Sequence, residues 1–280
     1  MAIDAFLRGV AVLLAVMAVL TIVETLLPFS RKREWRRRHL LPNLQMAAVT
    51  LGLNFAFNAG AVLITGWFAS RGFGLLAGAA LPPLAMTAIG FAVLDAATYA
   101  CHRSMHLLPP LWRAHRVHHA DPLVDVTTAL RQHPIEGLWR FGFIMAPAWA
   151  LGVPAEAVAL YRVVSALVGL TEHMDVKLWE RLDTALSWVF CTPNMHKVHH
   201  SRLATLTDTN YGNIFSIFDR VFGTFTPPSP ARDVDYGLAG YDEVDIQQFG
   251  ALLRLPFREP SRPSVRHEPQ RDVLYRENHA

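Results

Sequence analysis

Two stretches of the chain, HRVHH at 115–119 and HKVHH at 196–200, carry three histidines each with the same spacing, and HRSMH at 102–106 adds two more. Histidines three and four positions apart lie one helical turn from each other and share a face. His115, His118 and His119 therefore point together, as do His196, His199 and His200, and His102 with His106. His133 in RQHPIE and His173 in TEHMD stand alone, and His39, His267 and His279 fit no pattern. Neutral imidazole is a common metal ligand, suited to iron, zinc, copper and nickel. One lone histidine would read as an ordinary core or surface residue. Eight in three clusters are too many for one ion and imply two ions in a shared site.

The residues between the histidines narrow the chemistry. A zinc hydrolase of the H-E-x-x-H kind needs a glutamate between its ligands as general base. Here only Arg, Ser, Met, Val and Lys fill those positions. Structural zinc prefers cysteine-containing ligand sets. Cys101 and Cys191 form no C-x-x-C, and each reads as a small buried residue, with a thiol ligand as the alternative.

The elements that must position these clusters are membrane helices. The chain has 280 residues, 52% apolar, and a mean hydropathy of +0.23. Its pI near 9.1 rests on a net charge of only +3, and six of the 26 basic residues sit in RKREWRRRH at 31–39. Beside an apolar segment that block is a topology signal and not a nucleic-acid patch. Residues 5–27 are apolar apart from Arg8 and Glu24 and read as an anchor, not a removed signal peptide. The stretches 44–70 and 72–94 carry no charge, and each is long enough to cross a hydrocarbon core of about 30 Å. Residues 138–173 break at LGVPAE into halves short for full crossings, which suggests a hairpin that dips into the bilayer and returns to the same side.

With the basic block on the cytoplasmic side, every histidine from 102 to 200 falls on that side too. The expected fold is all-α: an integral-membrane helical bundle with a helical, histidine-rich metal site on its cytoplasmic side. Three parts follow: an anchor with its basic segment (1–43), a membrane-embedded core (44–226) and a cytoplasmic tail (227–280). In that tail, 244–257 would lie on the membrane surface and 258–280 reads as disordered. Asp95, Tyr99, His102 and His106 form one stripe on the third membrane helix. A carboxylate there is expected to accept a ring N–H from a ligating histidine, the plain alternative being an interfacial Asp facing water.

In H-x-x-x-H (102–106), R-x-H-P-x-E (131–136), both H-x-x-H-H motifs, DTNYG (208–212) and FDRVFGTF (218–225), the chain resembles the sterol desaturase and fatty acid hydroxylase family over about residues 90–226. The resemblance implies a non-haem site of two iron ions that uses O2 to hydroxylate or desaturate a lipid such as a sterol or fatty acyl chain. Zinc can occupy such sites in a purified sample. It implies electrons from a separate cytochrome b5-like or ferredoxin-type donor. It also implies ligand roles for the eight clustered histidines and for His173, a possible one for His133, and a place near the metals for Asn210. That Asn reads equally as a turn former before Gly212. FDRVFGTF reads as a helix ending at Gly223, without assigned chemistry. The rival class is a histidine-rich metal transporter or sensor, whose ions would sit at mid-membrane depth. A zinc-dependent membrane hydrolase is the third reading.

Overall fold

A computed structural model describes residues 2–29, 33–176, 178–232 and 234–258. Among the described residues, three helices are long and apolar enough to cross a membrane: α1 (Ala2–Leu26), α2 (Arg33–Ala69) and α3 (Pro83–Leu107), the spans within them being Leu7–Leu26, Arg38–Ala69 and Pro83–Leu107. Helix α2 has 37 residues, about 55 Å at 1.5 Å per residue, so it outruns the hydrocarbon core. It runs unbroken through the residues of the basic block from Arg33 onward and through Pro42.

The charge-free stretch 72–94 is not helical throughout. Residues 70–82 form turns, with Gly72 and Gly74 at φ 61° and 129°, a region that L side chains avoid. Pro82 and Pro83 then set the start of α3 at its N-terminal boundary, where a missing N–H costs nothing. Starting late, α3 runs on to Leu107 and carries His102 and His106 in its last two turns.

The hairpin is present as α5 (Pro134–Leu151) and α6 (Ala155–Glu172), turning at Gly152 with φ 74°. It is deeper than its halves suggested. Each arm has 18 residues, about 27 Å, and the tip meets the far turn between α2 and α3. There Leu75 N and Leu76 N donate to Ala150 O and Leu151 O at 3.0 Å. A Cβ on Gly74 would stand 2.5 Å from Gly152 Cα, so the two turns touch through glycine. The bundle core packs Leu94 of α3 against Met145, Ala148, Ala157 and Tyr161 of the hairpin.

At the other end lie the short helices α4 (Pro109–His119), α7 (Glu180–Leu186), α8 (Pro193–His199), α9 (Ala204–Thr207), α10 (Ile217–Val221) and α11 (Phe249–Arg254). Among the described residues there is no strand, only isolated bridges such as Pro28 with Val176. Within 244–257, α11 and the 3-10 turn that follows it fold back over α4. Leu252 and Leu255 bury against Met46, Val117 and Ala120. The expectation of disorder falls, from 259 onward, outside the described residues.

Candidate metal centre

Each histidine-bearing segment is aimed by a local device. Pro109 at the first position of α4 and Pro193 at that of α8 fix where those helices begin, and the Thr192 side chain caps α8. His115, His118 and His119 then occupy the last turns of α4, and His196 and His199 those of α8, with His200 just past its end. His173 terminates α6. These ends meet the end of α3, and nine histidines sort into two groups: His102, His106, His115, His119 and His199, and His118, His173, His196 and His200. Within each group the nearest ring nitrogens lie within 4.8 Å of one another.

Ring orientation follows from what holds Nδ1. A carbonyl only accepts, so the Nδ1 of His102 on Tyr211 O (3.0 Å), of His173 on Gly169 O (2.6 Å) and of His199 on Thr209 O (2.7 Å) must each carry the proton. Neutral rings so held have bare Nε2 atoms facing inward. His106 Nδ1 lies 3.2 Å from Asp208 Oδ1, and His115 Nδ1 lies 3.2 Å from Glu136 Oε2. Metal-ligating histidines use the same outer partners to fix ring and tautomer.

The inward atoms crowd. His102 and His119 place Nε2 3.2 Å from His115 Nε2, and His173 Nε2 stands 3.1 Å from that of His118 and 3.0 Å from that of His196. The Nε2 atoms of His106 and His199 are buried without a hydrogen-bond partner. Converging lone pairs in a buried site repel unless a cation lies among them. Nitrogens about 3 Å apart suit a shared ion at the ordinary metal–nitrogen distance of about 2.1 Å. The residues thus fit two metal ions in an all-imidazole set with flanking carboxylates, a donor chemistry suited to iron, zinc or copper. Burial first, then neighbouring imidazoles, hold His115, His118, His119, His196 and His200 well below their ordinary pKa. Burial likewise takes His173 and His199 down to about 4. All seven are neutral near pH 7, the form that binds metal.

The structure brings together nine of the ten histidines expected as ligands, and His133 is the one apart. Its Nδ1 accepts from Ile135 N at the start of α5, and its Nε2 meets Leu253 O at 3.1 Å. Asp95, expected to take a ring N–H, instead accepts the backbone N–H groups of Ile214 (3.1 Å) and Phe215 (3.0 Å) and the Tyr161 hydroxyl (3.2 Å). The Tyr99 hydroxyl meets Thr224 Oγ1 at 2.9 Å rather than a ligating ring. Asn210 sits at φ 57° and donates to Met195 O and Thr226 O, bracing the start of α8. Cys101 and Cys191 are buried and free, outside both groups.

Glu136 and Asp208, the carboxylates that do face rings of the cluster, lie within RQHPIE and DTNYG, but spacing along the chain does not say which acid faces which ring. Asp219 was missed for the same reason. Its carboxylate accepts Tyr211 N (2.7 Å) and Gly212 N (2.8 Å) and so holds the carbonyl that orients His102.

A cavity of about 180 Å³ opens on the membrane side of the site, touching His102, His115, His118, His173 and His196. Phe57, Phe141 and Ile144 line it together with Glu136, Arg140, Arg162 and Glu172. A largely apolar groove of about 790 Å³ runs on the outer surface between α3 and α5, past Val93, Trp139 and Phe143.

The fatty acid hydroxylase family profile matches residues 87–224, the stretch that holds all nine converging histidines. An ornithine lipid hydroxylase of Rhizobium tropici is 29% identical over 192 residues, 69% of this chain and 56% of that protein. An alkylglycerol monooxygenase of Danio rerio is 35% identical over 151 residues, 54% of this chain and 32% of that protein. The Homo sapiens protein of the same name is 30% identical over 148 residues, 53% of this chain and 32% of that protein. The chain thus spans about half, or less, of the length of the curated relatives it matches. No solved structure matches it. Through the histidine-bearing region at 87–224, this chain belongs to the fatty acid hydroxylase family.

Proposed function

We propose that the chain is an O2-dependent lipid hydroxylase in which the nine histidines hold two iron ions facing the cytoplasm. A separate donor protein supplies the electrons. The observation that carries this reading is the pair of adjacent imidazole groups, neutral and with Nε2 atoms converging, at the end of a membrane bundle. Bound iron would supply the one-electron and O2 chemistry that imidazole and carboxylate groups lack.

The chain's own residues do the rest. The carbonyls of Tyr211, Gly169 and Thr209 hold three ring protons outward, so those rings keep their aim. Glu136 and Asp208 do the same for His115 and His106, each with a carboxylate oxygen 3.2 Å from Nδ1. Phe57, Phe141 and Ile144 offer an apolar path along the cavity and limit water near the reacting carbon. The polar groups of its wall, Arg140, Arg162 and Glu172, favour a lipid that carries a polar group over a wholly apolar one. Two relatives' names point the same way: one acts on an ornithine lipid, others on alkylglycerols, and hydroxylase and monooxygenase favour hydroxylation over desaturation. A transporter would place its ligands at mid-membrane depth, whereas these cluster at helix ends.

The test is lipidomics of cells expressing the wild type or His115→Ala under 18O2. A lipid gaining one labelled hydroxyl in the wild type alone is the expected result. Absence of any His115-dependent label overturns the hydroxylase reading.

A further inference from the structure

Beyond its spanning helices, the chain exposes a second large apolar face. On α7, Trp179, Leu182 and Leu186 stand at i, i+3 and i+7, one exposed stripe. The chain continues through exposed Trp188, Val189 and Phe190, and α10 presents Ile217, Val221 and Phe222. Trp188 is 65% exposed and Val221 67%, values that aqueous surfaces seldom gather in one patch. The two parts are joined by backbone: Cys191 N donates to Ile214 O and Ser216 N to Val189 O, each at 3.1 Å.

The contacts with α3 fix the depth of the α10 part of this face, and the pairing of 189–191 with 214–216 ties the segment after α7 to it. With Pro83 at the far edge, a hydrocarbon core of about 30 Å at 1.5 Å per residue ends close to residue 103. Tyr99 and Asp95 lie inside that limit. The Tyr99 ring stacks on Phe222 with centroids 5.3 Å apart. Asp95 receives the N–H groups of Ile214 and Phe215. The loop 213–216 and the base of α10 therefore lie level with the inner end of the α3 span, and their outer side chains face sideways.

Non-helical backbone at that depth is tolerated only when its polar groups are satisfied by protein. Here they are: Asp95 takes two N–H groups, Ser216 Oγ donates to Ser187 O at 2.6 Å, and the 189–191 segment pairs with 214–216. The Arg220 guanidinium lies 4.1 Å over the Trp188 ring and donates to Ser187 O at 3.0 Å, an aromatic–cation pair of the kind that anchors proteins at the headgroup level.

We infer that α7, residues 187–190 and α10 form a second lipid-contacting face, inserted among the chains of the leaflet that borders the histidines, with Asp95 serving as the carboxylate that satisfies its re-entrant backbone. The occupant is the bilayer itself, because the face continues the lateral surface of α3 at the same depth. This stands apart from the reaction proposed above and can fail independently of it.

Nitroxide labels report it in the full chain reconstituted in phosphatidylcholine vesicles. Cys101 and Cys191 are buried, which keeps background labelling low. Ile217→Cys and Val221→Cys carry the test label, Val19→Cys, exposed well inside the α1 span, serves as the lipid reference, and Asp242→Cys as the aqueous one. Collisions with O2 should exceed those with a water-soluble nickel complex several-fold at 217, 221 and 19, and the ratio should invert at 242. A ratio at 217 and 221 matching that at 242 overturns the proposal, since the face would then be in water. Exclusion of both reagents also overturns it, since a protein or a second copy would then cover the face.

Discussion

Glu136 is buried and its two carboxylate oxygens make no ordinary hydrogen bond, yet Oε2 lies 3.2 Å from His115 Nδ1 and Oε1 lies 3.6 Å from Arg140. A carboxylate so placed keeps the His115 ring oriented and its Nε2 basic. Outer partners of this kind are worth about 10–100-fold in metal affinity. Glu136→Ala should therefore weaken metal binding by about that factor. Glu136→Gln, which keeps an acceptor oxygen, should recover part of the loss. Competition against a coloured chelator measures both, and wild-type affinity in Glu136→Ala would reduce Glu136 to a wall residue. Eight of the nine converging histidines were legible because helical spacing alone puts them on common faces. The acids were not, since Glu136 and Asp208 reach His115 and His106 from other segments. His133 shows the converse: its sequence context suits a ligand, but a histidine just before a helix can satisfy a free N–H at the helix start, and the local bond is the one made.

At the scale of elements, one buried side chain ties together α2, α4 and the start of α11. Arg131 is fully buried; Nε donates to Val117 O near the end of α4, one terminal nitrogen to Asn43 Oδ1 on α2, and the other to Gln247 Oε1 just before α11. Asp121 lies 3.8 Å from it and also 3.0 Å from His39 Nδ1. Removing one partner from a buried charge network leaves the others unpaired, at a typical cost of about 3–5 kcal/mol. Arg131→Met should destabilise the protein by about that amount in detergent, read from denaturant unfolding followed by tryptophan fluorescence. A loss under about 1 kcal/mol would mean that Asn43, Gln247 and Val117 find other partners at little cost. The spanning helices were readable from apolar runs, and the histidine-bearing turns of α4 and α8 from the i, i+3, i+4 spacing. Two things were not. The late start of α3 depended on glycines at positive φ, and the depth of the hairpin depended on the Gly74–Gly152 contact, a tertiary close approach.

For the molecule as a whole, the turn at 70–82 and the hairpin tip at 152 gather at one end, and the nine histidines with α4, α8 and α11 gather at the other. The two ends are separated by the length of α3, 25 residues or about 37 Å, enough to put them on opposite sides of a bilayer. The basic residues at the start of α2 lie at the histidine end, because His39 on the first turns of α2 bonds Asp121, just beyond α4. Basic residues beside a span stay cytoplasmic, so the histidine end should face the cytoplasm. Labelling of introduced cysteines in sealed vesicles of known orientation with a membrane-impermeant maleimide decides it, against a background of two buried native thiols. Asp242→Cys, half-exposed near the histidine end, should react only from the cytoplasmic side. Ser70→Cys, exposed in the far turn, should react only from the outer side. The reverse pattern would invert the orientation while leaving the site intact. Reaction of both from one side would mean that α3 does not cross, and the depth assigned to the α7–α10 face would fall with it.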